Sequence, residues 1–447
     1  MTFTRDASPL RELWRLVGPL IVTMFAQVAI VLTDTALVAR YSTAALAAVA
    51  LAAPVYLVAV MVVRGWATAA QIVVSRRFGS GDVPAVAGAT AVALLAGVVT
   101  GVVFSAALIL SAGPVLGALS DDPAVVAGSV DYLRIVALGV PFAAASAVLQ
   151  AAFAGLGATR IAMVSTLLMI VVNLVLGVTL VFGAGLGVVG AGLSTVVSTV
   201  VGTAYLTWFA RRRIGSVVPG AVLLTRGDFA RGRVAVPALA RLAWPEAALL
   251  FFGYLNEVLV VGFAAQVGSV DLAAYRLLDN LTLVIYNLLA AVGAGIAILA
   301  GQRLGAGDVA AVRTYQRTGV VLALVLATPP AVLAALFPGT LFSLATADTA
   351  VVDVAASTAP LAVVTLVPIV LSLNIAGVLR ASGDNVTVMI ASLVADYAVL
   401  VPLAWLLGLV LGWGLTGIYV AWLGFGLTML AITGWRYSTG RWRTRNI

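Results

Sequence analysis

The sequence has no cysteine, no histidine and no lysine among its 447 residues, and the first two absences each remove a class of chemistry. Without cysteine there is no disulfide, no thiolate nucleophile and no thiolate metal site. Without histidine the chain lacks the commonest metal ligand and the side chain best suited to act as a base near neutral pH. No phosphate-binding G-x-x-x-x-G-K-[ST] loop occurs, so nucleotide binding of that kind is excluded. No group of carboxylates has metal-ligand spacing, and the chain does not read as an enzyme. Charge is scarce as well: 9% of residues are charged, against about 25% in soluble domains. No cleavable leader pattern is visible, because the polar residues 1–13 run directly into an apolar stretch.

What is present is apolar. Hydrophobic residues make up 63% of the chain and the mean hydropathy is +1.15. A bilayer core of about 30 Å needs roughly 20 apolar residues per helix. Such stretches occur at 14–38, 45–75, 84–113, 124–154, 161–182, 187–211, 240–266, 271–301, 308–337, 350–380, 385–408 and 414–437. They are too long and too uniformly apolar for barrel strands. The expected fold is an all-α membrane protein with twelve transmembrane helices.

All 25 basic residues are arginine, and the net charge is +8. Their placement argues for membrane topology and against nucleic acid. All but Arg40, Arg64, Arg134 and Arg276 fall at the chain ends or in the even-numbered loops, while Asp121, Asp122, Asp131, Asp271, Asp348 and Asp353 mark the odd side. The positive-inside rule then places both termini in the cytoplasm, and an even number of helices requires that they lie on the same side.

The chain is also a tandem duplication. "RRFGSGDVPAV" (76–86) matches "GQRLGAGDVAAV" (301–312), pairing Arg77 with Arg303, Gly79 with Gly305, Gly81 with Gly307, Asp82 with Asp308 and Val83 with Val309. The same offset of 226 residues relates Leu13, Arg15 and Pro19 to Leu239, Arg241 and Pro245, and Gly157 to Gly383. Two six-helix lobes follow, pseudo-symmetric and parallel in the membrane. Residues 1–210 form the first, 240–447 the second, and the arginine-rich stretch 211–239 the cytoplasmic linker. Such a plan suits a transporter. Abundant glycine and alanine allow close helix packing. Pro19, Pro54, Pro141, Pro245, Pro360, Pro368 and Pro402 supply bends.

The segment "GPLIVTMFAQVAIVLTDTALVARYSTAALAAVALAAP" (18–54), the "FGSGD" and "LGAGD" boxes, "DYLRIVALGVP" (131–141), "FAGLGATR" (153–160) and "VLRASGDN" (378–385) resemble, in this order, the multidrug and toxic compound extrusion (MATE) family. The resemblance covers nearly the whole chain. It implies alternating access and export of lipophilic, often cationic compounds driven by H⁺ or Na⁺. Asp34 occupies the place of the first-helix carboxylate that the family uses for cation coupling. Asn173 and Thr195 match an Asn and a Thr of the fifth and sixth helices. The Asp usually found four residues after that Asn is replaced by Gly177. In the NorM branch a Glu stands eight residues after the helix-7 proline; here that place is Gly253, and Glu257 follows one turn later. The pattern leans toward the DNA-damage-inducible (DinF) branch.

Read as residues, these groups carry alternatives. A carboxylate at mid-span costs about 2.5–3.5 kcal/mol on insertion scales, so Asp34 either couples a cation or forms a structural pair with Arg64 or Arg134. Gln27 lies two turns before it on the same stripe. Arg276 and Asp279 are three residues apart on one helix face, at about the depth of Glu257, and Arg276 is placed to bridge both acids. These three, with Asp396 and Gln27, either line a substrate cleft or fix helices. The expected function is secondary multidrug efflux, the alternative a lipid or lipid-linked oligosaccharide flippase. No cofactor is expected. The few carboxylates favour H⁺ over Na⁺ as coupling ion, since Na⁺ prefers several oxygen ligands. The expected partners are amphiphilic or cationic small molecules and the bilayer, with no nucleic acid, and the protein is expected to act as a monomer in the cytoplasmic membrane.

Overall fold

The computed structural model describes residues 8–212, 214–218 and 223–444. Both chain ends and parts of the 211–239 stretch therefore lie outside it. No strand occurs among the described residues. In the first half the helices are α1 (Pro9–Tyr41), α2 (Thr43–Gly79), α3 (Val83–Gly117), α4 (Pro123–Leu138), α5 (Val140–Gly155), α6 (Thr159–Gly183) and α7 (Gly187–Arg212). A short α8 (Arg226–Gly232) leads into the second half: α9 (Val236–Val267), α10 (Ser269–Gly305), α11 (Val309–Leu336), a short α12 (Pro338–Ser343), α13 (Thr349–Ala381), α14 (Asn385–Val410) and α15 (Gly414–Ser438). Among the described residues eleven helical spans are long and apolar enough to cross a membrane, or twelve with α4 and α5 counted as one span bent by 44°.

That bend falls within the apolar stretch 124–154, beside Pro141, one of the prolines expected to bend a span. Pro141 carries no N–H, so it cannot return a bond to the carbonyl four residues earlier. α4 closes at Gly139, whose N–H turns to the Val136 carbonyl, and α5 restarts with Ala143 bonding to Gly139. Gly101 of α3 meets the bend: a Cβ there would stand 2.9 Å from Pro141 Cα.

The duplication is written into the turns. Gly81 and Gly307 take φ of 75° and 77°, Gly157 and Gly383 79° and 80°, Gly185 and Gly412 66° and 69°. These left-handed values suit glycine because a Cβ would collide with the backbone. Helix starts repeat too. Asp82 and Asp308 cap α3 and α11 through Ala85 and Ala311 N–H at 3.0 and 3.1 Å. Asp122 and Asp348 cap α4 and α13 through Ala124 and Ala350 N–H at 2.9 and 3.0 Å. Each cap contributes about 1 kcal/mol.

By packing, the chain divides into two units. Gly18–Ala247 make up the bulk of one, and the start of α1, through Val17, joins Ala248 onward in the other. The first holds cores around Leu133, Val136 and Val63, and around Leu149, Phe153 and Leu206; the second is centred on Tyr275, Leu278, Leu400 and Ile418. Small residues permit the contacts within each. Gly65 faces the Ala243 carbonyl, and Gly295 faces Val17 and Leu13. In the second unit Glu12, at the beginning of α1, accepts from Arg303 at 3.2 Å and from the Tyr315 hydroxyl.

The stretch between the halves is ordered where described. Thr225 and Asp228 form a reciprocal capping box at the start of α8 (2.8 and 3.3 Å), and Arg231 pairs with Asp228 at 2.7 Å. Gly232 lies so close to Gly88 of α3 that a Cβ would stand 2.2 Å from the Gly88 carbonyl oxygen.

Candidate functional site

In the first unit the polar groups gather where α1, α6 and α7 meet. The Thr195 hydroxyl on α7 donates to Asp34 Oδ2 at 3.1 Å. The same oxygen lies 3.1 Å from the Ala191 carbonyl, so its single proton has two acceptors. Asn173 of α6 is buried and near enough to act on the Asp34 carboxylate. By distance and angle, however, Asp34 Oδ1 and both amide atoms of Asn173 are left without a hydrogen bond. Asn173 is adjacent to Asp34, not bonded to it. Tyr56 of α2 and Tyr132 of α4 also lie within electrostatic reach. Asp34, Asn173 and Thr195 are thus brought together in the first unit.

Asp34 forms no ion pair with Arg64 or Arg134 among the described residues. Arg64 donates to Gln27 Oε1 at 3.0 Å instead, so Gln27 is joined to α2. Gly177, where the family usually has an acid, faces Leu37: a Cβ would stand 2.8 Å from Leu37 Cδ1, so a larger residue there requires that side chain to shift.

The second unit holds two groups. Arg276 Nη1 stands 3.9 Å from Glu257 Oε1, an ion pair too long for a hydrogen bond. Asp279 lies near enough to Glu257 and Arg276 to act on both charges. Tyr275 and Tyr419 complete this cluster, and neither was singled out from sequence. Asp396 belongs to a different group. It is 4% exposed, and what its carboxylate touches is protein. Asn256 Nδ2 donates to Oδ1 at 2.9 Å and Ser392 Oγ to Oδ2 at 3.0 Å. The helix widens into π turns at Val394–Leu400, around this residue. Tyr397 reaches across to the Phe252 carbonyl at 2.7 Å, fastening α14 to α9. Asn256 and Ser392 were missed by sequence reading. Ser392 stands one turn before Asp396, a signal that was available. Among the described residues no group of three or more His, Cys, Asp or Glu side chains could hold a metal ion.

The family model of the MatE proteins matches residues 19–179 and 247–406, once in each half. The chain belongs to the MatE family. Its relatives include the multidrug resistance protein PmpM of Pseudomonas aeruginosa, 27% identical over 91% of this chain and 85% of that protein. The multidrug resistance protein MdtK of Cronobacter sakazakii is 27% identical over 94% of this chain and 93% of its own length. Among solved structures, a MATE crystal structure in a bent conformation superposes with a TM-score of 0.90. It shares 19% identity and covers 98% of this chain and 96% of the other. MatE membership accords with two homologous lobes of membrane-spanning helices.

Proposed function

We propose that the protein is a secondary active exporter of cationic and amphiphilic compounds, exchanging them for protons by alternating access. The observation that carries this is the setting of Asp34: a carboxylate inside a spanning helix that, among the described residues, accepts a hydrogen bond from Thr195 and has no arginine pair. Both protonation states fit it without displacement. Ionised, Asp34 accepts the Thr195 proton. Protonated, it donates to Thr195 Oγ1, whose own proton turns to the Ala191 carbonyl. Since a ligand moves an equilibrium only through its differential affinity, substrate and proton must favour different arrangements of α1. The relatives' names support drug efflux over lipid flipping. Replacement of an oxygen ligand by Gly177 supports H⁺ over Na⁺. The protein would act as a monomer in the cytoplasmic membrane with both termini inside, as the arginine pattern requires.

The test is ethidium uptake into inverted vesicles under an imposed pH gradient. Asp34→Asn keeps the shape and fixes the neutral state, and it is expected to abolish gradient-driven uptake while the protein remains folded. Wild-type uptake by Asp34→Asn would sink the coupling role, and uptake that requires Na⁺ and ignores the pH gradient would overturn proton exchange.

A further inference from the structure

Within this proton-exchange reading, we infer that Asp396 is a second proton-binding site, formed with Asn256 and Ser392 in the second lobe, in which the carboxylate and amide are transposed relative to Asp34 and Asn173. In the first lobe the acid is on α1 and the amide on α6. In the second the amide is on α9 and the acid on α14, the counterparts of α1 and α6. The offset of 226 carries Asn256 back to Ile30 and Asp396 back to Ile170. These positions lie four residues before Asp34 and three before Asn173. Both partners have therefore moved about one helical turn, some 5 Å, in the same direction along their helices. The second site places an acid beside an amide as the first does, one turn earlier and with the members exchanged, and here the two are hydrogen-bonded.

The local chemistry fits a proton. Asp396 has no cation within 4.0 Å among the described residues. A buried carboxylate without a counter-ion is relieved by neutralisation. Asn256 is 3% exposed and its Oδ1 has no donor, although its Nδ2 is engaged by the acid. Half a turn of this amide presents Oδ1 to Asp396. Ionised, the acid accepts from Nδ2; protonated, its new O–H donates to Oδ1. The proton comes from water and returns to it, and the only bond made or broken is that O–H. Ser392 donates to the other oxygen in both states. The π turns at Val394–Leu400 widen the helix where the amide must turn.

The groups facing Asp396 are few. Tyr397 stands on its own helix, Tyr286 on α10, and Arg380 on α13 acts on that tyrosine too. Glu257 follows Asn256 on α9. Phe425, Met429 and Ile432 of α15, which pack on Ala391 and Ala395 of the Asp396 helix, are apolar.

Infrared difference spectra of the full-length protein in lipid nanodiscs, recorded across a pH titration, read protonated carboxyls directly. Asp396→Asn is expected to lose one carboxylic-acid band that Asp34→Asn retains. Asn256→Leu should move the same band to higher frequency, because the acid then lacks its acceptor. Identical spectra for wild type and Asp396→Asn overturn the site, and so does a band that Asn256→Leu leaves in place. If Asp34→Asn is silent while Asp396→Asn removes a band, the first-lobe reading fails and this site stands.

Discussion

At the scale of single residues, position and partner are legible to different degrees. Asp34 was readable because a lone carboxylate in an apolar run is costly, and its neighbours Asn173 and Thr195 were named through family resemblance. Asp396 was visible as a buried charge, but its partner Asn256 lies 140 residues away, and no local pattern announces a pairing of that span. The Arg64–Gln27 bond was hidden for the same reason, since arginine beside a carboxylate was the simpler guess. Gly177 shows what a residue-scale argument gains from coordinates. The departure from the family pattern was plain in the sequence; the coordinates add that Leu37 lies against this position and must move before a larger side chain fits. Gly177→Asp should therefore destabilise the protein by about 1–3 kcal/mol through overpacking, and Leu37→Ala added to it should recover most of the loss. Thermal unfolding of both variants in detergent measures this. An unchanged midpoint for Gly177→Asp alone would show that the site has slack the geometry denies.

At the scale of elements, hydropathy located the spans to within a few residues, because length and apolarity are what a bilayer demands. Hydropathy alone ran 124–154 together, because a window average does not register one missing N–H, but Pro141 marked where this span bends. The short helix α8 was equally invisible: it lies in a polar stretch and depends on a capping box and on the touch of Gly232 against Gly88. That touch is testable. A methyl group at Gly232 would stand 2.2 Å from backbone oxygen and 2.5 Å from Val92, and backbone cannot rotate away as a long side chain does. Gly232→Ala is expected to lift α8 from α3 and to hasten trypsin cleavage at Arg231 and Arg233 several-fold in native membranes. Equal cleavage rates in the variant and the wild type would remove the contact from any account of how α8 is held.

At the scale of the whole molecule, duplication organises everything above it, and it was legible because the residues that must be glycine or aspartate at turns recur at one offset. Their φ values and caps agree pair by pair. The absence of cysteine makes the inferred topology easy to examine. Ser80→Cys and Ala306→Cys should resist an impermeant maleimide on intact cells, whereas Asp121→Cys and Ala347→Cys should react. Reaction at Ser80→Cys without lysis would invert the assignment. One further feature acts in time. The start of α1 leaves the ribosome long before its companions in the second unit, Gly295, Arg303 and Tyr315, which are made hundreds of codons later. Likewise the first unit is completed by the beginning of α9, including Ala243 and Ala247. Neither unit is therefore assembled from one half of the message alone: the first needs the beginning of α9, and the second needs the start of α1.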